Sequence, residues 1–158
     1  MRTGRRAQGG YVLVAALVLL AAMAASASVV AARWTDEAQR ERELELLRVG
    51  NEIAGALAAY AKDSAGSTRS HPQELDALLE DRRAFGTKRY LRRIEPDPMT
   101  GKSEWGVIRA EDGGVAGVFS RGEGRPFLRV PRALSYVDLP VADRYADWKF
   151  APRKGNRS

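Results

Sequence analysis

Apolar and polar positions divide this chain into stretches of different period. Residues 11–32 form one unbroken apolar run of 22 residues, with no charge and with Ser26 and Ser28 as its polar side chains. The run holds no proline or glycine and is rich in Ala and Leu, so nothing in it interrupts a helical hydrogen-bond ladder. At about 1.5 Å per residue it spans roughly 33 Å, slightly more than the roughly 30 Å hydrocarbon core of a bilayer, and this predicts a transmembrane helix. After Arg33 the chain becomes charged without losing its helix formers, and Glu37 and Arg40 stand three apart as an opposite-charge pair. Apolar residues then recur at Leu46, Val49, Ile53, Leu57, Tyr60 and Ala61, the spacing of one buried helical face. The first stop signal is the polar stretch 62–67 with Gly66. One helix from about residue 11 to about residue 63, roughly 80 Å long, is therefore expected, apolar all round in its first half and amphipathic in its second.

The remaining chain supplies the surface that the amphipathic half needs. Ser70 or His71 as a cap, Pro72 in a first turn and Glu74 beside the positive helix end predict a short helix, with Leu75, Leu78 and Leu79 inward and an end near Gly86. Pro96, Pro98 and Gly101 forbid regular helix in the next stretch. Residues 104–109 and 115–120 are β-prone runs joined by the turn signal of residues 110–114, which predicts an antiparallel hairpin, and residues 127–130 are a candidate third strand. The expected divisions are a basic leader (1–10), a transmembrane helix (11–32), an amphipathic continuation (33–63), an α/β head (64–130) and an irregular basic tail (131–158). The fold class is α+β, a long helix packed on a small head.

Charge sharpens this division. The net +6 separates into +3 for residues 1–10, −2 for residues 33–63 and +5 for residues 64–158. Three arginines before the apolar run, against the balanced Arg33, Asp36, Glu37 and Arg40 after it, place the amino end inside and the head outside. A secretory signal peptide cleaved after Ala27 is the competing reading, although such apolar segments usually run only about 7–15 residues. The chain has no cysteine, which excludes disulfides, thiolate metal sites and cysteine nucleophiles.

Three segments carry a family resemblance. They are residues 5–13, with Gly9-Gly10-Tyr11; residues 34–49, the charged helix; and the head motifs, with Asp97-Pro98-Met99-Thr100-Gly101, Trp105-Gly106 and Asp112-Gly113-Gly114. Together the chain resembles the type IV pilins and type II secretion pseudopilins, and its head is most similar to relatives of the major pseudopilin. The resemblance implies cleavage between Gly10 and Tyr11 by prepilin peptidase and methylation of the new amino terminus. It implies a single-pass subunit of the bacterial inner membrane with a cytoplasmic amino end and a periplasmic head. Its partners would be other pseudopilins and an inner-membrane assembly platform, and its role structural, with no enzymatic activity. The sequence departs from the family pattern at Ala15, the fifth mature position, where most pilins carry a glutamate; this points to a minor or atypical subunit.

Other chemistry is sparse. One histidine, His71, cannot build a multi-histidine metal site, and a capping or surface role is expected for it. No cofactor is expected. Calcium is the exception to consider, because major pseudopilins bind it near the carboxyl end, but Asp138, Asp143 and Asp147 are loosely spaced for a cage of hard oxygens. Arg82, Arg83, Lys88, Arg89, Arg92 and Arg93 form a basic cluster around Tyr90. The favoured reading has these cations solvated or paired to acidic groups such as Glu37, Glu41, Glu43 and Glu45 of the same or a neighbouring subunit, and nucleic acid, as in a DNA-uptake pilin, is the alternative.

Overall fold

The computed structural model describes residues 6–64, 70–81, 83 and 87–153, and within its long helix the side chains of residues 10–23 and 34–63. The protein is α+β. Helix α1 (Arg6–Asp63) is followed by strands β1 (Gly106–Arg109), β2 (Val115–Phe119), β3 (Arg132–Ala133) and β4 (Asp138–Leu139), with single 3-10 turns at Leu75–Leu78 and Tyr145–Asp147. The chain divides into two compact units, Met1–Arg40 and Glu41–Ser158, and α1 contributes to both.

In the first unit every described side chain from residue 10 to residue 23 is exposed. No helix among the described residues is long and apolar enough to cross a membrane. Of the expected span 11–32, the side chains of residues 24–32 lie outside the described residues.

In the second unit the expected helical face is buried at Leu46, Val49, Ile53, Leu57 and Tyr60, all 5 % exposed or less, while Ala61 is half-buried. Against it pack Leu78, Leu91, Trp105, Val115, Val118, Val137, Leu139, Tyr145, Trp148 and Phe150, one continuous core. The backbone of Gly50 approaches Phe150 so closely that a Cβ there would overlap the ring, and Gly55 lies likewise under Tyr136. At the end of the helix the Ser64 hydroxyl donates to the Tyr60 carbonyl at 2.6 Å and satisfies one of the terminal acceptors.

Strands β1 and β2 pair antiparallel, Gly106 opposite Phe119 and Ile108 opposite Gly117, and a bulge then sets Arg109 opposite Val115. Gly113, at φ +78°, makes the turn, a conformation that side chains with a Cβ rarely adopt. The far edge of β2 pairs with Phe150, whose N–H donates to the Val118 carbonyl at 2.8 Å and whose carbonyl accepts from the Val118 N–H at 3.1 Å.

Three expectations for the head need correction. The helix expected from residue 70 to near Gly86 is one 3-10 turn, Leu75–Leu78, and no side chain caps it. The N–H groups of Ser70 and His71 are taken by the Asp112 carboxylate, and the Pro72 carbonyl accepts from Val115, so the would-be first turn is spent binding the hairpin. Beyond it the Leu78 carbonyl accepts from both Tyr90 and Leu91; Gly86 lies outside the described residues. Residues 127–130 form no strand. Between Pro126 and Pro131 the N–H groups of Phe127 and Leu128 turn to a carboxylate on α1 instead of a ladder. The expected irregular tail, 131–158, contains β3 and β4 and supplies Val137, Leu139, Tyr145, Trp148 and Phe150 to the core. Its prolines and scattered aromatics hid this, because the segment buries single large residues with no period to detect. Residues 154–158 lie outside the described residues.

Candidate functional site

The residues singled out in the sequence fall into two groups, the expected cleavage pair Gly10 and Tyr11 on α1 and the fastenings of the head. Gly10 and Tyr11 lie within α1, and Tyr11 is 84 % exposed. Ala15 is exposed on the same helical stretch.

The head motifs are hydrogen-bonding devices. Asp97 is fully buried and its carboxylate is saturated: Oδ1 accepts from the Met99 N–H at 3.0 Å, Oδ2 from the Arg121 N–H at 3.1 Å, and the Ser120 hydroxyl lies 2.9 and 2.8 Å from the two oxygens. Its carbonyl accepts from Thr100 and Gly101, closing a tight turn in which Pro98 has a preset φ and Gly101 adopts φ +69°. Asp97 therefore ties the 97–102 turn to the end of β2. Trp105 donates its indole N–H to the Glu95 carbonyl at 2.8 Å while its ring enters the core. Gly106 admits the ring of Phe119 from the paired strand, and Gly114 admits His71.

His71 shares a hydrogen-bond cluster with Ser70 and Asp112. Both the Ser70 hydroxyl, at 3.2 Å, and the Asp112 carboxylate, at 3.0 Å, contact the same ring nitrogen, Nδ1. A nucleophilic relay needs hydroxyl and carboxylate on opposite ring nitrogens, so this geometry is a fastening of loop to hairpin. The His71 hydrogen bond, with N–H donors from Gly114 and His71, holds the Asp112 carboxyl down at about 2.

Three members of the basic cluster are paired among the described residues, with acids other than those expected. Arg83 binds Asp81 through Nε at 2.8 Å and Nη2 at 2.7 Å, stacks on the Tyr60 ring at 3.7 Å and donates to the Ser64 hydroxyl. This bidentate pair lowers the Asp81 carboxyl to about 2. Lys88 pairs with Asp63 and Arg93 with Glu95. Tyr90 donates to Asp63 at 2.8 Å, and burial first, then those carboxylates, push its hydroxyl pKa up. Arg89 and Arg92 are exposed, and Arg82 lies outside the described residues. Among the glutamates expected as partners, Glu45 binds Arg48 at 2.7 Å and Glu43 is buried.

Glu43, expected as a partner of the basic cluster, is instead a buried fastening of the head. It is fully buried, and its carboxylate accepts from the N–H groups of Phe127 at 2.7 Å and Leu128 at 3.2 Å and from the Tyr145 hydroxyl at 2.6 Å. A signal was present: Glu43 precedes Leu46, Leu47 and Gly50 by three, four and seven, which puts it on the buried stripe.

For metal binding, Asp138 is engaged by Arg153 at 2.6 Å and Asp147 by Arg144 at 3.3 Å, and the described residues contain no group of three or more metal-ligating side chains. The structure does not bring the candidate calcium ligands Asp138, Asp143 and Asp147 together. No protein-family model, curated protein or solved structure matches this chain.

Proposed function

We propose that this chain is a structural subunit of the pseudopilin type, a single-pass inner-membrane protein of a type II secretion or related pilus system. The observation that carries the reading is the contrast along α1. Apolar side chains from Tyr11 to Met23 stand exposed, Leu13 at 64 % and Leu20 at 63 %, while residues 43–60 bury one face under an α+β head. Fully burying each large apolar side chain is worth about 1.5–3 kcal/mol, so such a stretch calls for lipid or the helices of neighbouring subunits as its surroundings. The head has the complementary property. Its carboxylates at Asp97, Asp112 and Glu43 are committed to main-chain donors, which suits a rigid load-bearing body.

In this reading prepilin peptidase cleaves between Gly10 and Tyr11, and the mature chain assembles through α1 into a short periplasmic filament. Ala15 leaves a neighbour's terminal ammonium without the usual carboxylate in an apolar filament core, an expensive arrangement that suits a minor or atypical position over the main shaft. Mass determination of the mature amino terminus tests the proposal. A membrane-bound product beginning at methylated Tyr11 is expected, and a soluble product beginning at Ser28 overturns it. Exposed Arg89 and Arg92 favour a second reading, a DNA-binding minor pilin. That reading requires duplex DNA binding that weakens steeply with salt.

A further inference from the structure

Residues 124–137 contain three arginines and no Asp or Glu, and the arginines alternate with Phe127, Val130 and Tyr136. These three apolar residues are 40, 59 and 47 % exposed. The segment lies along α1: Phe127 and Leu128 are held by Glu43, Arg132 and Leu134 share a groove of about 430 Å³ with Leu44 and Leu47, and the Tyr136 N–H donates to Asn51 at 3.0 Å. Of the nearby carboxylates Glu43 is committed to those amides, Glu45 to Arg48 and Asp138 to Arg153, while exposed Glu123 lies just before the segment. Among the described residues Arg129 and Arg132 meet no carboxylate. The result is an exposed surface that combines aromatic and aliphatic side chains with uncompensated guanidinium groups.

We propose that residues 125–136 dock on the anionic phospholipid surface of the membrane in which residues 11–32 are anchored; the proposal rests on that reading of the apolar run. Guanidinium groups bind phosphate oxygens in bidentate fashion, and aromatic and aliphatic side chains settle at the boundary between headgroups and acyl chains. The charge complementarity selects this partner. Arg129 and Arg132, in a segment with no interspersed acid, fit a uniformly anionic surface, whereas the helical stretch of a second copy, with Arg40 and Arg42 among Asp36, Glu37 and Glu41, alternates in sign. Only residues 33–42 separate the apolar run from Glu43, the fastening of the segment, so an anchored chain presents the patch to lipid at high effective concentration.

The chain lacks cysteine, so Val130→Cys in the full-length protein carries a single nitroxide label, and Glu111→Cys on the exposed hairpin turn serves as reference. Each is reconstituted into phosphatidylcholine vesicles with and without phosphatidylglycerol, and accessibility to lipid-soluble and water-soluble relaxation agents is measured. The expected result is lipid-phase accessibility at position 130, absent at 111, that requires phosphatidylglycerol and declines with salt. Neutralising Arg129 and Arg132 to Gln lowers the docked-to-free ratio roughly 25-fold, about fivefold per cation. Equal behaviour at 130 and 111, or accessibility independent of the anionic lipid, overturns the proposal. A change that grows with protein-to-lipid ratio identifies a second copy as the occupant and overturns it also. Carbonate extraction reads the anchor separately. If the chain is extracted, the anchor reading fails, and salt-sensitive accessibility of the soluble labelled chain mixed with anionic vesicles then supports or, if missing, overturns the lipid affinity of the patch on its own.

Discussion

Exchanging Glu43 for Gln changes the head by one atom. Three donors converge on the buried carboxylate, at 2.7, 3.2 and 2.6 Å, and no lysine or arginine pairs with it among the described salt bridges. Hydrogen bonds to a charged group contribute about 1.5–3 kcal/mol each, against about 0.5–1.5 kcal/mol for neutral ones. In the variant one amide oxygen still serves Phe127 and Tyr145 through neutral bonds, each weaker by about 1 kcal/mol, while the new NH2 faces the Leu128 N–H, donor against donor, at a cost of about 1–3 kcal/mol. Relief from burying a charge offsets part of this, and the net expectation is a loss of about 2–4 kcal/mol, a large share of the roughly 5–15 kcal/mol typical of a domain. Urea unfolding of a fragment spanning residues 34–158, followed by tryptophan fluorescence, reads the loss as a midpoint lower by about 1–2 M. Tyr145→Phe alone and with Glu43→Gln completes a double-mutant cycle with an expected coupling of about 1–2 kcal/mol. A Glu43→Gln variant as stable as its parent, or more stable, would falsify the reasoning, since it would show that desolvation of the charge outweighs what the three donors return.

Two further outcomes follow from the packing and charge of the head. Gly50→Ala gains about 1 kcal/mol of helix propensity but drives a methyl group into the Phe150 ring, and a net loss of about 1–2 kcal/mol, seen as a lower Tm, is expected; an unchanged or raised Tm would show that the ring moves aside freely. Arg83 holds Asp81 at about 2, below its ordinary 3.8, so the stability this pair adds is full above about pH 4 and is lost as pH falls from 4 toward 2. Asp81→Asn lowers stability at neutral pH and flattens the acid limb of the urea midpoint against pH; an acid limb identical to the parent's would remove the pair from the account.

How far the fold could be read from the sequence depended on repetition. The face Leu46, Val49, Ile53, Leu57, Tyr60 repeats often enough that burial had one solution, and the structure buries all five. The β1–β2 hairpin was legible because Gly113 and Gly114 mark the turn between two β-prone runs, but the bulge at Ala116, opposite the Ile108–Arg109 step, left no trace in composition. The Ser70-His71-Pro72 start signal was locally sound and lost to a distant competitor: the Val115 N–H takes the Pro72 carbonyl that would have opened a helical ladder. Tyr145, Trp148 and Phe150 were illegible for a different reason. Tyr145 is held by Glu43 and Phe150 by Gly50, partners about a hundred residues away that leave no local period, and Trp148 packs edge-on against Tyr145. Among the motif residues, the sequence pointed to Asp97 and Trp105 as special without revealing that their side chains fasten one segment of the head to another.

The seat of Phe150 bears on how the protein is made. Its ring fills the notch at Gly50 and its main chain extends the edge at Val118, so the helix and the hairpin share one distant closing piece. Until a ribosome has delivered residue 150, Leu46, Ile53 and Leu57 have part of their cover missing. An apolar stripe left open in this way during synthesis is what chaperones bind and what sticks to other nascent chains. The head therefore completes only after translation of residue 150, and a shortened product ending before that residue would be cleared or would aggregate instead of persisting as a half-built head.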